Sequence, residues 1–440
     1  MTYKPELVFV GPVETASGYG AHARDLVDSL FSMDKFRIKI IPINWGMTPM
    51  NALDETDKNH KRILDHIIRT PLQSQPDIWV QCTVPNEFQS VGKFNIGITA
   101  GVETDICSPE WIDGCNRMDC IIVPSEHSKN VFINTKYEKR DKNTHEQVGI
   151  HELTKPVYVI PEGIKTETYN SFNIISESVS SKIDKISEDF VFLSVGHWLK
   201  GDFCEDRKDI SGLIHTFLKT FSDKPNKPAL LLKISGGTYA IKDKSSLLEK
   251  INLIKSMVKS EDLPNIYLLH GHLTDFEMNS LYNNSKIKTL VSFTKGEGYG
   301  RPIAEFMASG KPVIVSNWSG HLDFVHDSYH TLLSGNLKQV HASAVWEGVI
   351  NSGTSWFSVD YDAASKTLVD VFENYETYIQ KSMDYKSVIE TKWSHEQMTV
   401  NFSELLDKVL PTFVQKASLV LPKLSNLQKS NLPKLKKITT

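Results

Sequence analysis

No stretch of this sequence runs for the ~18 or more uncharged apolar residues that a membrane-crossing helix needs, so no membrane span is expected. Cysteine is scarce. The five present (Cys82, Cys107, Cys115, Cys120, Cys204) are odd in number and form no CxxC pair. That spacing speaks against a disulfide framework or a metal site, and for free thiols in a reducing cytoplasm. Excess positive charge is missing too: 49 Lys and Arg stand against 53 Asp and Glu, which excludes an overall basic protein. The apolar run that opens the chain is short, follows one lysine and leads into Gly11-Pro12, as a first core strand would and a secretion leader would not.

What is present divides in two. At 440 residues the chain exceeds one ordinary core, so two domains are expected. Runs such as "ELVFVGPV", "DIWVQCTV" and "CIIVPS", then "FVFLSVG", "ALLLKISGG" and "KPVIVSN", alternate with helix-like segments. Val/Ile/Leu runs without polar alternation imply strands buried on both faces of a parallel sheet. The expected fold is therefore α/β, with two doubly wound Rossmann-like domains facing a central cleft. The serine-rich stretch 170–189 marks the boundary, giving domains over 1–175 and 188–385. Residues 386–410 are expected to form a helix that crosses back to the first domain, and 411–440 a basic tail. The charged segment 137–155 reads as a surface excursion. After Asp407 no acid appears, while Lys408, Lys416, Lys423, Lys429, Lys434, Lys436 and Lys437 follow. Such an end is either a solvated tail or an arm that meets a polyanion.

The segment "KGEGYGRPIAEFMASGKPVIVSN", Lys295 to Asn317, carries the chemistry. Pro302 suits the first turn of a helix, since its missing N–H has no intrahelical partner there. Gly310 suits its end. Backbone amides at "GEGYG" can then cradle a phosphate, and glycine lets the main chain approach closely. Glu297 in the turn can accept hydrogen bonds from sugar hydroxyls. Glu305, one helical turn further in, can hold a ribose diol with both oxygens. The alternatives are a plain tight turn and ordinary surface acids.

"EGYGRPIAEFMASGKPVIVS" resembles the E-x7-E segment of the retaining GT-B glycosyltransferases of family 4, which read roughly EGFGLP-x-x-EAMA-x-G-x-PVI. The resemblance extends through "FVFLSVGHWLKGDFCEDRKDISGLIHTF", "DCIIVPSEHSKNVF" and "GYGAHARDLVDSL", and covers most of Leu7 to Leu410. It implies transfer of a sugar from a nucleoside-diphosphate sugar, a UDP-sugar being favoured, with retention and with no metal or other cofactor. It also implies roles. Glu305 would hold the ribose, Glu297 the transferred sugar, and the amides of Gly298, Tyr299 and Gly300 the distal phosphate. Lys208 matches the family lysine that neutralises the leaving diphosphate. Where the family has an arginine directly after a glycine this chain has His197, leaving Arg207 or Arg301 to supply the second cation. Gly18 and Gly20 would let the first domain approach the donor. Glu103 stands in for the family histidine near the sugar, and Asn86 and Glu87 are candidates for the acceptor side. His22, His127 and His321 are read as surface or satisfied core histidines.

The acceptor is open on sequence. "SGYGAHARDL", "NWGMTPMNALD" and "GVETDICSPEWIDGCNRMD" resemble glycosyltransferases of tailed bacteriophages, some of which glycosylate hydroxymethylated pyrimidines in DNA. With the lysine tail, that makes DNA one acceptor class; glycan, lipid-linked and protein acceptors are the others. Two further readings of the same scaffold stand beside these: an inactive sugar-nucleotide-binding protein and a phosphorylase.

Overall fold

The computed structural model describes residues 3–46, 48–172 and 175–414. The lysine-rich segment from Gln415 onward, with six of the seven tail lysines, lies outside the described residues.

In the first half, strands β1 (Glu6–Gly11), β2 (Arg37–Pro42), β3 (Ile78–Cys82), β4 (Phe94–Ile98) and β5 (Cys120–Val123) alternate with helices α1 (Gly18–Met33), α2 (Lys58–His66), α3 (Pro109–Asn116) and α4 (Glu126–Asn134). A hairpin of β6 (Lys136–Arg140) and β7 (Gln147–Glu152) follows, then β8 (Val157–Val159). The six-stranded sheet runs β2-β1-β3-β4-β5-β8, with every pairing parallel. Both faces are covered. Leu7 and Phe9 of β1 pack into one apolar cluster and Val8 and Val10 into another, which is why these strands show no polar alternation. The charged excursion is the β6–β7 hairpin, an antiparallel pair separate from that sheet.

After α5 (Glu177–Ile183) the second half repeats the plan. It contains β9 (Val191–His197), α6 (Ile210–Phe221), β10 (Ala229–Ser235), α7 (Ile241–Met257), β11 (Ile266–Leu268), α8 (Asp275–Asn283), β12 (Ile287–Ser292), α9 (Arg301–Met307), β13 (Val313–Ser316) and β14 (Thr331–Leu333). Its sheet order is β11-β10-β9-β12-β13-β14, again parallel throughout. A hairpin of β15 (Gly335–Gln339) and β16 (Ser355–Val359) is added, and α10 (Tyr361–Glu373), α11 (Tyr375–Lys392) and α12 (His395–Val409) close the chain.

The return to the first domain is made by α12, since residues 386–392 still belong to α11 of the second domain. Helix α12 buries Met398, Phe402, Leu405 and Leu406 in the core of the first domain beside α1. The Ser394 hydroxyl caps its first turn by accepting from the Gln397 amide. No helix among the described residues is long and apolar enough to cross a membrane.

Sheet order places the site. In each sheet the strand order reverses beside the first strand, between β1 and β3 and between β9 and β12. Loops leaving the carboxyl ends of strands at such a reversal diverge to opposite faces and leave a crevice. The loops after β9 and β12 carry Arg207–Lys208 and Gly296–Gly300.

Candidate active site

The loop after β12 is built for close approach. Gly300 is the N-cap of α9 in the left-handed region, φ 101°, so the chain turns sharply from Glu297 into the helix. The Glu297 amide donates to Ser319 Oγ at 2.9 Å and the Gly320 amide to the Glu297 carbonyl at 2.9 Å, which fixes the turn from the next loop. The amides of Gly298, Tyr299 and Gly300 donate to no protein acceptor among the described residues. A Cβ on Gly298 would lie 1.8 Å from the carbonyl oxygen of Ala100, and one on Gly296 would lie 2.0 Å from that of Glu103. The two domains thus meet here backbone to backbone. Ser125 Oγ of the first domain donates to the Gly298 carbonyl at 2.6 Å.

Four of the residues singled out from sequence converge at this seam. Lys208 Nζ donates to Glu297 Oε1. Arg207 Nη1 donates to the Gly296 carbonyl at 2.9 Å and lies 3.4 Å from Glu297 Oε2. Arg207 Nε lies 3.9 Å from Glu103 Oε1 across the domain boundary. Burial alone would push the Glu297 carboxyl up, but the Lys208 ammonium and the Arg207 guanidinium outweigh it and hold its pKa at about 2. Glu103, with burial first and the Glu297 carboxylate also raising it, is pushed the other way despite Arg207.

A pH dependence follows. The Glu297 pKa is depressed from an ordinary 4.5 to about 2, so its contribution is present above pH 4.5 and is lost as pH falls toward 2. Denaturant unfolding across that window should show wild type losing about 3 kcal/mol more than Glu297→Gln. Parallel curves for the two proteins would remove the ionised pair.

Glu305 and Arg301 form a second cluster. Arg301 Nε donates to Glu305 Oε1 at 2.7 Å, and its Nη1 reaches Asp25 Oδ2 of α1 at 2.7 Å and Glu162 Oε2 at 3.6 Å. Lys165 pairs with Asp25 at 3.0 Å and Asp28 at 2.9 Å. Burial pushes the Glu305 carboxyl up against the pull of Arg301. Arg301 therefore ties α9 to α1; three buried carboxylates engage the guanidinium that the sequence offered as a second phosphate cation. His197, in the place of the family arginine, has Nδ1 2.8 Å from Ser235 Oγ.

The remaining candidates are dispersed. Gly18 is exposed with open space around it, whereas Gly20 is required by its own turn, where a Cβ would lie 2.2 Å from the Thr15 carbonyl oxygen. Tyr299 is buried against Phe324. Asn86 and Glu87 sit on an exposed turn after β3. The Asn86 carbonyl accepts from Arg117 at 2.8 Å and Glu87 Oε2 accepts from Thr83 Oγ1 at 2.7 Å; neither bonds to the Glu297 cluster. His22 and His321 are buried and His127 is half-buried, and each has one ring nitrogen without a partner among the described residues, so none is fully satisfied.

Sequence reading missed Asp25, Ser125, Ser319 and the β15–β16 hairpin. Only Asp25 left a trace, as an acid on the buried face of an amphipathic helix. The hairpin reaches the first domain where the Ser355 amide donates to Asp105 Oδ1 at 2.6 Å.

Two doubly wound domains joined at their switch-point loops, with the last helix returned to the first, define the GT-B fold. Residues 181–349 match the family model described as Glycosyl transferases group 1. No curated protein sequence matches the chain. Among solved structures it is similar to HepE of Anabaena in complex with UDP-glucose, with a TM-score of 0.57 and 13% identity over 92% of this chain and 100% of that one. Sucrose-phosphate synthase from Thermosynechococcus elongatus gives 0.59 and 12% over 92% and 98%. A glycosyltransferase from Rickettsia africae ESF-5 gives 0.59 and 12% over 94% and 100%. At such identities the likeness carries the fold.

Proposed function

We propose that this chain is a retaining glycosyltransferase that moves a sugar from a nucleoside-diphosphate sugar, a UDP-sugar being favoured, to an acceptor hydroxyl. One observation carries the reading: a buried Glu297 carboxylate, kept ionised by Lys208 and Arg207, stands at the switch point beside three free amides. HepE, whose fold this chain shares, is a UDP-glucose binder, which supports the donor class.

The chemistry is charge stabilisation and positioning. Lys208 and Arg207 face the diphosphate as the bond between the anomeric carbon and phosphate oxygen breaks. The amides of Gly298, Tyr299 and Gly300 take its distal oxygens. Glu297 accepts from hydroxyls of the transferred sugar. The acceptor oxygen bonds to the anomeric carbon from the face the diphosphate leaves, and its proton passes to the departing diphosphate. No step in this scheme calls on a metal. Glu305 holds the ribose diol, exchanging part of its bond with Arg301 for the ligand.

Release of UDP or another nucleoside diphosphate from a panel of nucleotide sugars tests the reading. No release from any of them, even by slow hydrolysis, leaves the inactive binding protein; sugar 1-phosphate formed with free phosphate would make it a phosphorylase. Glu305→Ala should weaken UDP binding by about 10- to 100-fold, the worth of two hydrogen bonds from the ribose diol. Unchanged affinity by calorimetry would withdraw its role.

DNA as acceptor is favoured by the tail lysines of the sequence. The described surface of the first domain favours a different class.

A further inference from the structure

The first domain carries an aromatic pair that no step above uses. Trp45, in the loop after β2, stacks on Tyr19 in the first turn of α1, with ring centroids 4.0 Å apart and planes 29° apart. Tyr19 is anchored from below: its hydroxyl lies 2.9 Å from Thr99 Oγ1 and accepts from the Ala100 amide at 3.0 Å. Ala100 and Gly101 are among the residues that touch Gly298, so the pair stands beside the seam that holds Glu297 and Lys208. Next to it Gly18 faces open space, with no atom within 4 Å of where its Cβ would be.

The loop that presents Trp45 is held in place. The Ala16 amide donates to the Pro49 carbonyl at 3.1 Å, the Ala52 amide to the Glu14 carbonyl at 3.1 Å, and the Thr48 amide to the Trp45 carbonyl at 3.0 Å. A tryptophan packed by a tyrosine on one side, still partly exposed and fixed on a pinned loop, is a ready flat surface. Packing of the core does not account for it, since Trp45 belongs to none of the buried clusters, whereas Tyr19 packs against one.

Charge decides which ring it suits. Residues 43–57 contain Asp54, Glu55 and Asp57 and no lysine or arginine, and the three acids are exposed. On neighbouring loops of the same sheet edge Glu87 is a further exposed acid, while Glu14 is paired with Arg69 at 2.9 Å and Glu103 faces Arg207 at 3.9 Å. An acidic rim repels a phosphate backbone and tolerates hydroxyls, which its carboxylates can accept from.

We infer that Trp45, backed by Tyr19, is the platform on which an uncharged sugar ring of the acceptor stacks. The inference rests on the glycosyltransferase reading for its place in the reaction. Apolar C–H faces of a pyranose lie on the indole while its hydroxyls turn to the acidic rim and toward Glu103.

Saturation-transfer NMR tests this without any turnover, using methyl α-glucoside, maltotriose and lactose as probes. Wild type should transfer saturation to at least one of them. Trp45→Ala should lose at least fivefold of that signal and Trp45→Phe should recover part of it, which a merely misfolded variant would not do. Equal signals in wild type and Trp45→Ala, or no signal from any of the three sugars, overturns the platform. So does displacement of the sugar by a double-stranded oligonucleotide containing hydroxymethylcytosine, which would make DNA the acceptor. A chain that binds sugars through Trp45 yet releases no nucleoside diphosphate keeps this inference and loses the glycosyltransferase reading.

Discussion

Gly298→Ala is expected to lower kcat/KM by more than 100-fold while leaving each domain folded. The added Cβ would stand 1.8 Å from the Ala100 carbonyl oxygen, 2.9 Å from its carbon and 3.1 Å from Gly101 Cα. All three are backbone atoms, so no side chain can swing away; the seam itself has to open. Gly320 adds to the constraint from behind, because the Gly298 carbonyl oxygen already lies 2.0 Å from where its Cβ would be. A displacement of about 1 Å between reacting groups costs on the order of 100-fold. Gly149→Ala, in the β6–β7 hairpin with nothing within 4 Å, is the matched control and should be silent. Steady-state kinetics with the best nucleotide sugar, alongside solution scattering for the wider cleft, provides the measurement. A wild-type rate for Gly298→Ala would mean that the closed seam is not the working state.

Lys208→Ala should reduce kcat by about 100- to 1,000-fold, the range seen when one donor to a developing charge is removed. It should also destabilise the fold by about 3–5 kcal/mol, because the Glu297 carboxylate is left buried without its nearest cation. Arg207 at 3.4 Å offsets only part of that loss. The two effects separate in the double variant Lys208→Ala/Glu297→Gln. Neutralising both partners should restore most of the unfolding free energy, read from urea titration, and none of the turnover. A Lys208→Ala enzyme within threefold of wild type would reassign the diphosphate to other cations.

Much of this arrangement was legible in the chain. The apolar runs of β1, β3, β9 and β10, interrupted only by single residues such as Gln81, Ser194 and Lys233, announced strands covered on both faces, since a parallel sheet between helix layers leaves no polar alternation. Pro302 and Gly310 marked the first turn and the end of α9 through their own φ preferences. The charged stretch after α4 read as surface and is an exposed hairpin. Spacing singled out Glu297 and the family resemblance singled out Lys208, although 88 residues lie between them. Neither could show how the positive charges are shared. Arg207, Lys208 and Arg301 are equivalent cations on paper, and their partners depend on which loops meet.

Local rules are written within a few residues, and these the sequence determined by itself: two α/β domains, the glycine turn into α9, the acids Glu297 and Glu305 on either side of it, and a charge balance that is not basic overall. Tertiary structure alone decided that Arg301 joins α9 to Asp25 of α1, that Gly298 meets Ala100 backbone to backbone, and that Trp45 lies on Tyr19. Each of these pairs residues from different loops or domains. Their approach is set by where parallel strands end and helices pack, a distance that no local preference encodes.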